Sequence, residues 1–348
     1  MESLTDKTDT KISLIGMNPS EISSCLQLKK GFQAKQIYRW ITRGVKSFSE
    51  MTDLPASLRS SLEESSFCLY TTEVAAVQSD DDGTVKLGLR LFDGSIIECV
   101  LLRDKTDGLT ACLSSQSGCA MGCKFCRTGT LKLRRSLTYG EICEQFLLLQ
   151  SNAPGKIDHV VFMGMGEPFA NIDNVLKAVE FLHDENGINL SMRRITISTC
   201  GVVPGINELA KRRVPVKLAV SLVSADDTIR SSIMPVNRAY NLSTLKAALK
   251  NFQSVSGRRF TFEYCMIKNV NISDLDARKL ASFCKSLTVI VNLIPFNPCP
   301  ELDFQTPSRE EINHFCRKLD ELGVPYTIRI SRGRGIKGAC GQLAGKLQ

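Results

Sequence analysis

Ser117-Gly118-Cys119-Ala120-Met121-Gly122-Cys123-Lys124-Phe125-Cys126 is the stretch on which the fold turns. It sets three thiols within eight residues, on a loop whose glycines let the backbone bend tightly. Such a loop can wrap a compact inorganic core. Three thiolates hold three irons of a [4Fe–4S] cluster and leave the fourth iron open to a chelating ligand. Two plainer readings compete, a zinc site short of its fourth ligand and a Cys-x-x-Cys redox pair. A zinc site calls for a second close Cys or His pair, and none comparable follows; the only histidines are His159, His183 and His314. The expectation is a redox-active cluster on Cys119, Cys123 and Cys126.

Downstream of the loop, strand and helix patterns alternate. Candidate strands are Leu109–Ser115, His159–Met163, Arg194–Ser198, Val216–Ser221, Phe260–Cys265, Val289–Ile294 and Tyr326–Ile330. Between them Ile172, Val175, Leu176 and Val179 share one helical face, and Thr138 caps a helix running to Gln150. Six or seven βα units in series predict an α/β chain with a parallel sheet, open or barrel-like, and active groups at the strand C-terminal ends. The notable residues fall there: the cysteines after the first strand, Gly164-Met165-Gly166-Glu167-Pro168 after the second, Thr199-Cys200-Gly201 after the third.

Upstream, Val74–Val77, Val85–Leu91 and Ile96–Leu102 alternate as strands around the turn pairs Asp82-Gly83 and Asp93-Gly94, a small β-meander. Residues 1–66 read as short helices. From Gln33 to Gly44, Ile37, Trp40 and Ile41 form an apolar stripe while Lys35, Arg39 and Arg43 recur every four residues. That basic stripe is either a solvated face or a contact for phosphates. The expected division is 1–66 helical accessory domain, 67–104 meander linker and 105–348 core with a catalytic tail.

The 348 residues are 43% hydrophobic and 23% charged, as in ordinary globular proteins, and no apolar run approaches the length of a membrane span. Met1-Glu2-Ser3-Leu4-Thr5-Asp6 lacks the basic start of a signal peptide, so a cytoplasmic address is expected. In that compartment fourteen cysteines point to metal binding or thiol chemistry rather than disulfides. The net charge of +8 permits a polyanionic partner without demanding one.

The cysteine loop resembles that of the radical S-adenosylmethionine (SAM) superfamily. Five stretches narrow the resemblance: Glu98-Cys99-Val100-Leu101, Cys112 to Cys119, Phe162 to Pro168, Val291 to Pro298, and Ala339-Cys340-Gly341-Gln342-Leu343-Ala344-Gly345. In this order, from about residue 20 onward, the chain is similar to the RNA adenine-C2 methyltransferases of the RlmN/Cfr family. The resemblance implies a partial (β/α)6-type barrel, a [4Fe–4S] cluster and SAM as cofactors, and methylation of adenosine carbon 2 in 23S rRNA and tRNA. It further implies Cys340 as methyl carrier, Cys112 as the thiol that resolves an RNA adduct by forming a disulfide, and Glu98 as base. For the cofactor it implies Gly166 and Glu167 at the amino group, Ser198, Ser221, Leu222 and Val223 at the carboxylate or ribose, and Asn297 at the adenosine end. Members commonly carry His at the position of Val223 and Ser at that of Cys200. A flavodoxin or ferredoxin as electron donor and a monomeric state are expected as well. Basic residues flank both chemical segments, Lys124, Arg127, Lys132, Arg134 and Arg135 on one side, Arg329, Arg332, Arg334 and Lys337 on the other.

Overall fold

A computed structural model describes residues 11–345; the reading of Met1–Asp6 lies outside the described residues. β1 (Ile12–Ser13) and β2 (Phe67–Cys68) pair in parallel and bracket three helices, α1 (Pro19–Cys25), α2 (Gly31–Thr42) and α3 (Ala56–Glu63). Asn18 starts α1 with a capping box: its side chain accepts from the Ser20 and Glu21 amides, and Glu21 reaches back to the Asn18 amide. α2 buries Ala34, Ile37, Tyr38 and Ile41, whereas Trp40 is only half-buried because its indole N–H donates to Asp53 at the surface. Lys35, Arg39 and Arg43 are exposed, and among the described residues none enters an ion pair. Arg43 lies over the Trp40 ring.

β3 (Glu73–Ser79), β4 (Val85–Arg90) and β5 (Ile96–Arg103) run antiparallel, and β5 pairs antiparallel with β6 (Leu109–Cys112). The meander therefore extends the main sheet rather than standing beside it. β6 stops at Cys112, before the expected Ser115, because the Ser114 hydroxyl donates to the Glu98 carbonyl and turns the chain. A short ribbon, β7 (Gln116–Ser117) with β8 (Arg135–Ser136), then flanks the cysteine loop.

Parallel strands β9 (His159–Phe162), β10 (Ile195–Thr199), β11 (Lys217–Ser221), β12 (Phe260–Met266), β13 (Val289–Pro295) and β14 (Tyr326–Ile328) complete a ten-stranded sheet from β3 at one edge to β14 at the other. Crossover helices are α4 (Tyr139–Ser151), α5 (Ile172–His183), α6 (Val203–Arg212), α7 (Asp227–Ile233), α8 (Val236–Ala239), α9 (Leu242–Ser256), α10 (Asp274–Cys284) and α11 (Arg309–Glu321). The Tyr38 ring meets Phe181 of α5 edge to face, which fastens the N-terminal helices to the core. α4 is buried on nearly all sides, and its Glu144 carboxylate accepts from the Thr71 and Thr72 amides, so the polar group is satisfied where the chain enters the meander.

The sheet is a partial barrel, open between its two edges. Residues 331–345 cross that opening. The Gly333 and Gly335 amides donate to Asp82 and Asp80 in the turn after β3, and the Ala344 and Gly345 amides donate to Glu98 on β5. No helix among the described residues is long and apolar enough to cross a membrane.

Candidate active site

A cleft lies at the C-terminal ends of the parallel strands, floored on one side by the cysteine loop. Gly118, at φ +80°, is required there, since a Cβ would stand 2.1 Å from the Lys132 carbonyl oxygen. Within the loop the Cys126 amide donates to the Cys123 carbonyl and the Gly129 amide to that of Cys126. Cys119, Cys123 and Cys126 all line the cleft. Burial pushes the Cys119 thiol up to about 12 and the Cys126 thiol up to about 11, so metal ligation must displace their protons. Among the described residues no three Cys, His, Asp or Glu side chains converge as the shell of a single ion. A cubane cluster takes one thiolate per iron and so suits more widely spaced sulfurs.

The fit to an anionic cluster has a second support in Arg230 of α7, whose side chain is fully buried. Its guanidinium donates to the carbonyls of Leu222, Cys200 and Ser221 and to the Asn237 side-chain oxygen, all neutral acceptors. Among the described residues no carboxylate lies within ion-pair distance of it. Burial draws the Arg230 pKa down, and the neighbouring Cys200 and Cys123 sulfurs oppose the fall. A buried cation is costly unless negative charge stands nearby; Asp227, bonded to Asn237, supplies part of it, and thiolates at the cysteine loop would add to it.

Gly166, at φ +97°, lets the loop after β9 press against the Gln116 amide, 2.7 Å from where a Cβ would sit. The Glu167 carboxylate does not point free into the cleft. It accepts from the Phe169 amide at 3.1 Å and the Cys200 amide at 2.8 Å, tying the loop after β9 to the end of β10. Burial raises the Glu167 carboxyl, and those amides pull against the rise. Ser198, Ser221 and Val223 line the cleft, whereas the Leu222 side chain is buried away from it. Val223 stands at φ +59° in a tight turn in which the Ser224 amide donates to the Leu222 carbonyl at 2.7 Å. For a β-branched residue this is strained by about 1–3 kcal/mol. Asn271 holds it by donating to the Val223 and Cys265 carbonyls at 2.6 and 2.7 Å.

Cys340 is exposed within the cleft and also lines a smaller pocket that holds Cys112, Leu102, Met163, Ile294 and Arg329. Surrounding protein raises the Cys340 thiol and Arg329 opposes the rise, while burial pushes the Cys112 thiol up to about 12. The tail is seated on the cysteine loop: the Arg127 amide donates to the Gly341 carbonyl at 2.7 Å and the Thr128 hydroxyl to that of Leu343 at 2.8 Å. Asn297, buried at the rim, donates to the Cys340 carbonyl at 3.0 Å and accepts from Arg334 at 3.1 Å.

Glu98 does not line the cleft. It is buried, with one oxygen 2.8 Å from Lys86 Nζ and the other taking the Ala344 and Gly345 amides at 2.6 and 2.8 Å. Sequence reasoning missed Arg230 and Asn271, and it missed Glu263, a buried carboxylate lining the cleft whose Oε2 accepts no hydrogen bond. Only Arg230 left a readable sign, since it shares with Ile233 the buried face of α7.

Comparison with known proteins matches the radical SAM superfamily over residues 113–281 and the ribosomal RNA large subunit methyltransferase N-terminal domain over residues 12–68, the unit that holds α1 to α3. The dual-specificity RNA methyltransferase RlmN of Geobacter sulfurreducens is 42% identical over 97% of this chain and 94% of its own length. The probable RlmN of Treponema denticola is 46% identical over 96% of this chain and 95% of its own. A crystal structure of a radical SAM methyltransferase from Sphaerobacter thermophilus superposes with a TM-score of 0.92 at 41% identity, covering 96% of this chain and all of that one. Radical SAM proteins carry a [4Fe–4S] cluster and use SAM. This chain belongs to the RlmN family of radical SAM RNA methyltransferases.

Proposed function

We propose that the enzyme methylates carbon 2 of adenosine in 23S rRNA and in tRNA, using two SAM molecules per turnover. Carbon 2 lies between two ring nitrogens and is electrophilic, so it does not attack a sulfonium methyl, whereas a carbon radical adds to it. Cys119, Cys123 and Cys126 hold the cluster, which supplies the electron that makes SAM a radical source. Gly166, Ser198, Ser221, Val223 and Asn297 would orient SAM in the cleft, with Glu167 bracing the loop rather than binding by its own carboxylate.

Cys340 first takes a methyl group onto sulfur by nucleophilic displacement. One hydrogen atom of that methyl group would pass to the 5′-deoxyadenosyl fragment of the second SAM, which leaves as 5′-deoxyadenosine. The resulting methylene carbon would bond to carbon 2 and leave RNA attached to Cys340, the surplus electron passing back to the cluster. Glu98 takes the carbon-2 proton, which requires the Ala344–Gly345 end of the tail to lift from its oxygen. Cys112 then attacks the Cys340 sulfur, the bond from that sulfur to the one-carbon bridge breaks as the disulfide forms, the released carbon takes a proton and methylated RNA departs. Lys35, Arg39 and Arg43 hold RNA phosphates, and a flavodoxin or ferredoxin returns electrons to a monomeric enzyme.

One observation carries the two-cysteine reading: Cys340 lies at the junction of the large cleft and the pocket that contains Cys112. The test compares Cys112→Ala with Cys340→Ala, each purified from cells and run on denaturing gels with and without ribonuclease. An RNA-linked band is expected for Cys112→Ala and none for Cys340→Ala. Methylated RNA released by Cys112→Ala without any adduct refutes the scheme.

A further inference from the structure

A second groove runs between the N-terminal helical unit and the barrel rim, lined by Lys11, Tyr70, Phe92 and Tyr139. Each of its three aromatic rings carries a cation: Lys46 over Tyr70 at 5.3 Å, Arg135 over Phe92 at 4.4 Å, Lys177 over Tyr139 at 3.8 Å. Tyr70 and Tyr139 are half-buried. Phe92 is 58% exposed at the tip of the β4–β5 turn. A single exposed phenylalanine is ordinary on a protein surface, but this one is backed by a fixed cation. Arg135 is clamped by Asp93 at 2.8 Å and by both oxygens of Glu141 at 2.7 and 2.8 Å. With its charge matched by two carboxylates, that guanidinium backs the ring, more than half of whose surface stays exposed.

The position ties the ring to the chemistry. Arg135 pairs with Ser117, two residues before Cys119, and the Ile96 carbonyl beside the turn approaches Gly345 of the tail. Lys132 and Arg134, on the same segment, are exposed, and among the described residues neither forms an ion pair. An exposed aromatic ring flanked by free cations suits a single nucleic-acid strand, in which bases stack on rings and phosphates meet lysine and arginine.

We propose that Phe92 is a stacking platform for one base of the substrate RNA, on the strand that runs from the N-terminal helices to the cleft, with Lys132 and Arg134 holding its phosphates. The inference rests on RNA being the substrate of this cleft. Phe92 touches no reacting atom; it fixes where the strand lies, so its removal acts on RNA affinity.

The test uses the full chain with its cluster, a tRNA transcript and a 23S rRNA fragment, with Phe92→Ala, Phe92→Leu and Phe92→Tyr. Phe92→Ala and Phe92→Leu should raise KM for RNA about tenfold, the loss of one base stack. Both should leave kcat and RNA-independent cleavage of SAM within about twofold of the parent, and Phe92→Tyr should keep the parent KM. Lys132→Gln with Arg134→Gln should lower the salt slope of RNA binding by about 2, while Phe92→Ala leaves it unchanged. Parental KM in Phe92→Leu overturns the proposal, because an aliphatic side chain would then suffice. A defect in reductant-driven SAM cleavage with RNA affinity intact also overturns it and assigns the patch to the electron donor. If the parent itself methylates neither RNA, the substrate assignment fails, and that outcome is distinct from failure at Phe92.

Discussion

The loop of Cys119, Cys123 and Cys126 and the tail of Cys340 are both glycine-rich and both bring thiols to one cleft, yet they are secured in opposite ways. The loop holds itself: Cys126 bonds to Cys123, Gly129 to Cys126, Thr130 to Arg127, and Arg134 to Ser117 through backbone groups. The tail has internal backbone bonds too, Gly338 to Gly333 and Gln342 to Ala339, but most of its ties to the rest of the chain come from distant side chains, the carboxylates of Asp80, Asp82 and Glu98 and the hydroxyl of Thr128. A loop bonded largely to itself keeps more of its shape when the tail moves, whereas a tail tied mostly by side chains can leave without unfolding the sheet. Under the proposed function, the group that must stay fixed, a cluster, would sit on the first kind of segment, and the group that must travel, a methyl-carrying thiol, on the second.

The largest expected effect tests that division. Replacing Cys119, Cys123 or Cys126 by Ala should reduce iron content and bring 5′-deoxyadenosine formation to background. Cys340→Ala should leave both near the parent level. Iron lost equally from Cys340→Ala would show that the loop depends on the tail and would break the contrast.

A graded effect follows from the Cys112 thiol, pushed up to about 12 by burial. Below that pH only a small thiolate fraction exists, and it grows about tenfold per pH unit. The RNA adduct on Cys340, formed in an anaerobic single turnover and then shifted in pH, should therefore decay about tenfold faster per unit between roughly pH 7 and 9. A flat profile would remove Cys112 from the resolving role.

The smallest effect concerns the ties themselves. Asp80→Asn with Asp82→Asn weakens two charge-assisted bonds of about 1 kcal/mol each. Amide exchange at Gly333 and Gly335 should speed about tenfold, with exchange at Gly129 unchanged. Equal acceleration at both places would mean that loop and tail open as one unit.

The same contrast explains what could be read from sequence. The cysteine loop was legible because its determinants are local, three thiols and two glycines in ten residues. The parallel strands were legible from alternating βα patterns, most ends falling within one residue, while β6 stops three residues early where Ser114 diverts the backbone and β14 two residues early. That the meander joins the main sheet was not legible, since the β5–β6 pairing is a matter of register. Glu98 alternates with apolar neighbours and could have faced solvent; the sheet is covered on both faces there, and the carboxylate is buried. The long-range grip of Arg230 and Asn271 on strand-end carbonyls leaves no periodic trace, because a carbonyl is present in every residue. The tail was recognisable through family resemblance, and its seat on Glu98 and Asp82 required coordinates.

The tail also gives the molecule an order of assembly in time. Its partners Asp80, Asp82, Glu98 and Thr128 precede it by 215 to 255 positions, so they leave the ribosome long before it does. Strands β3 to β13 are made while the side of the barrel still stands open, and the tail then closes over the cysteine loop through the Arg127–Gly341 bond. A newborn chain thus passes through a period in which the thiols of Cys119, Cys123 and Cys126 are reachable from a direction that the finished chain has shut.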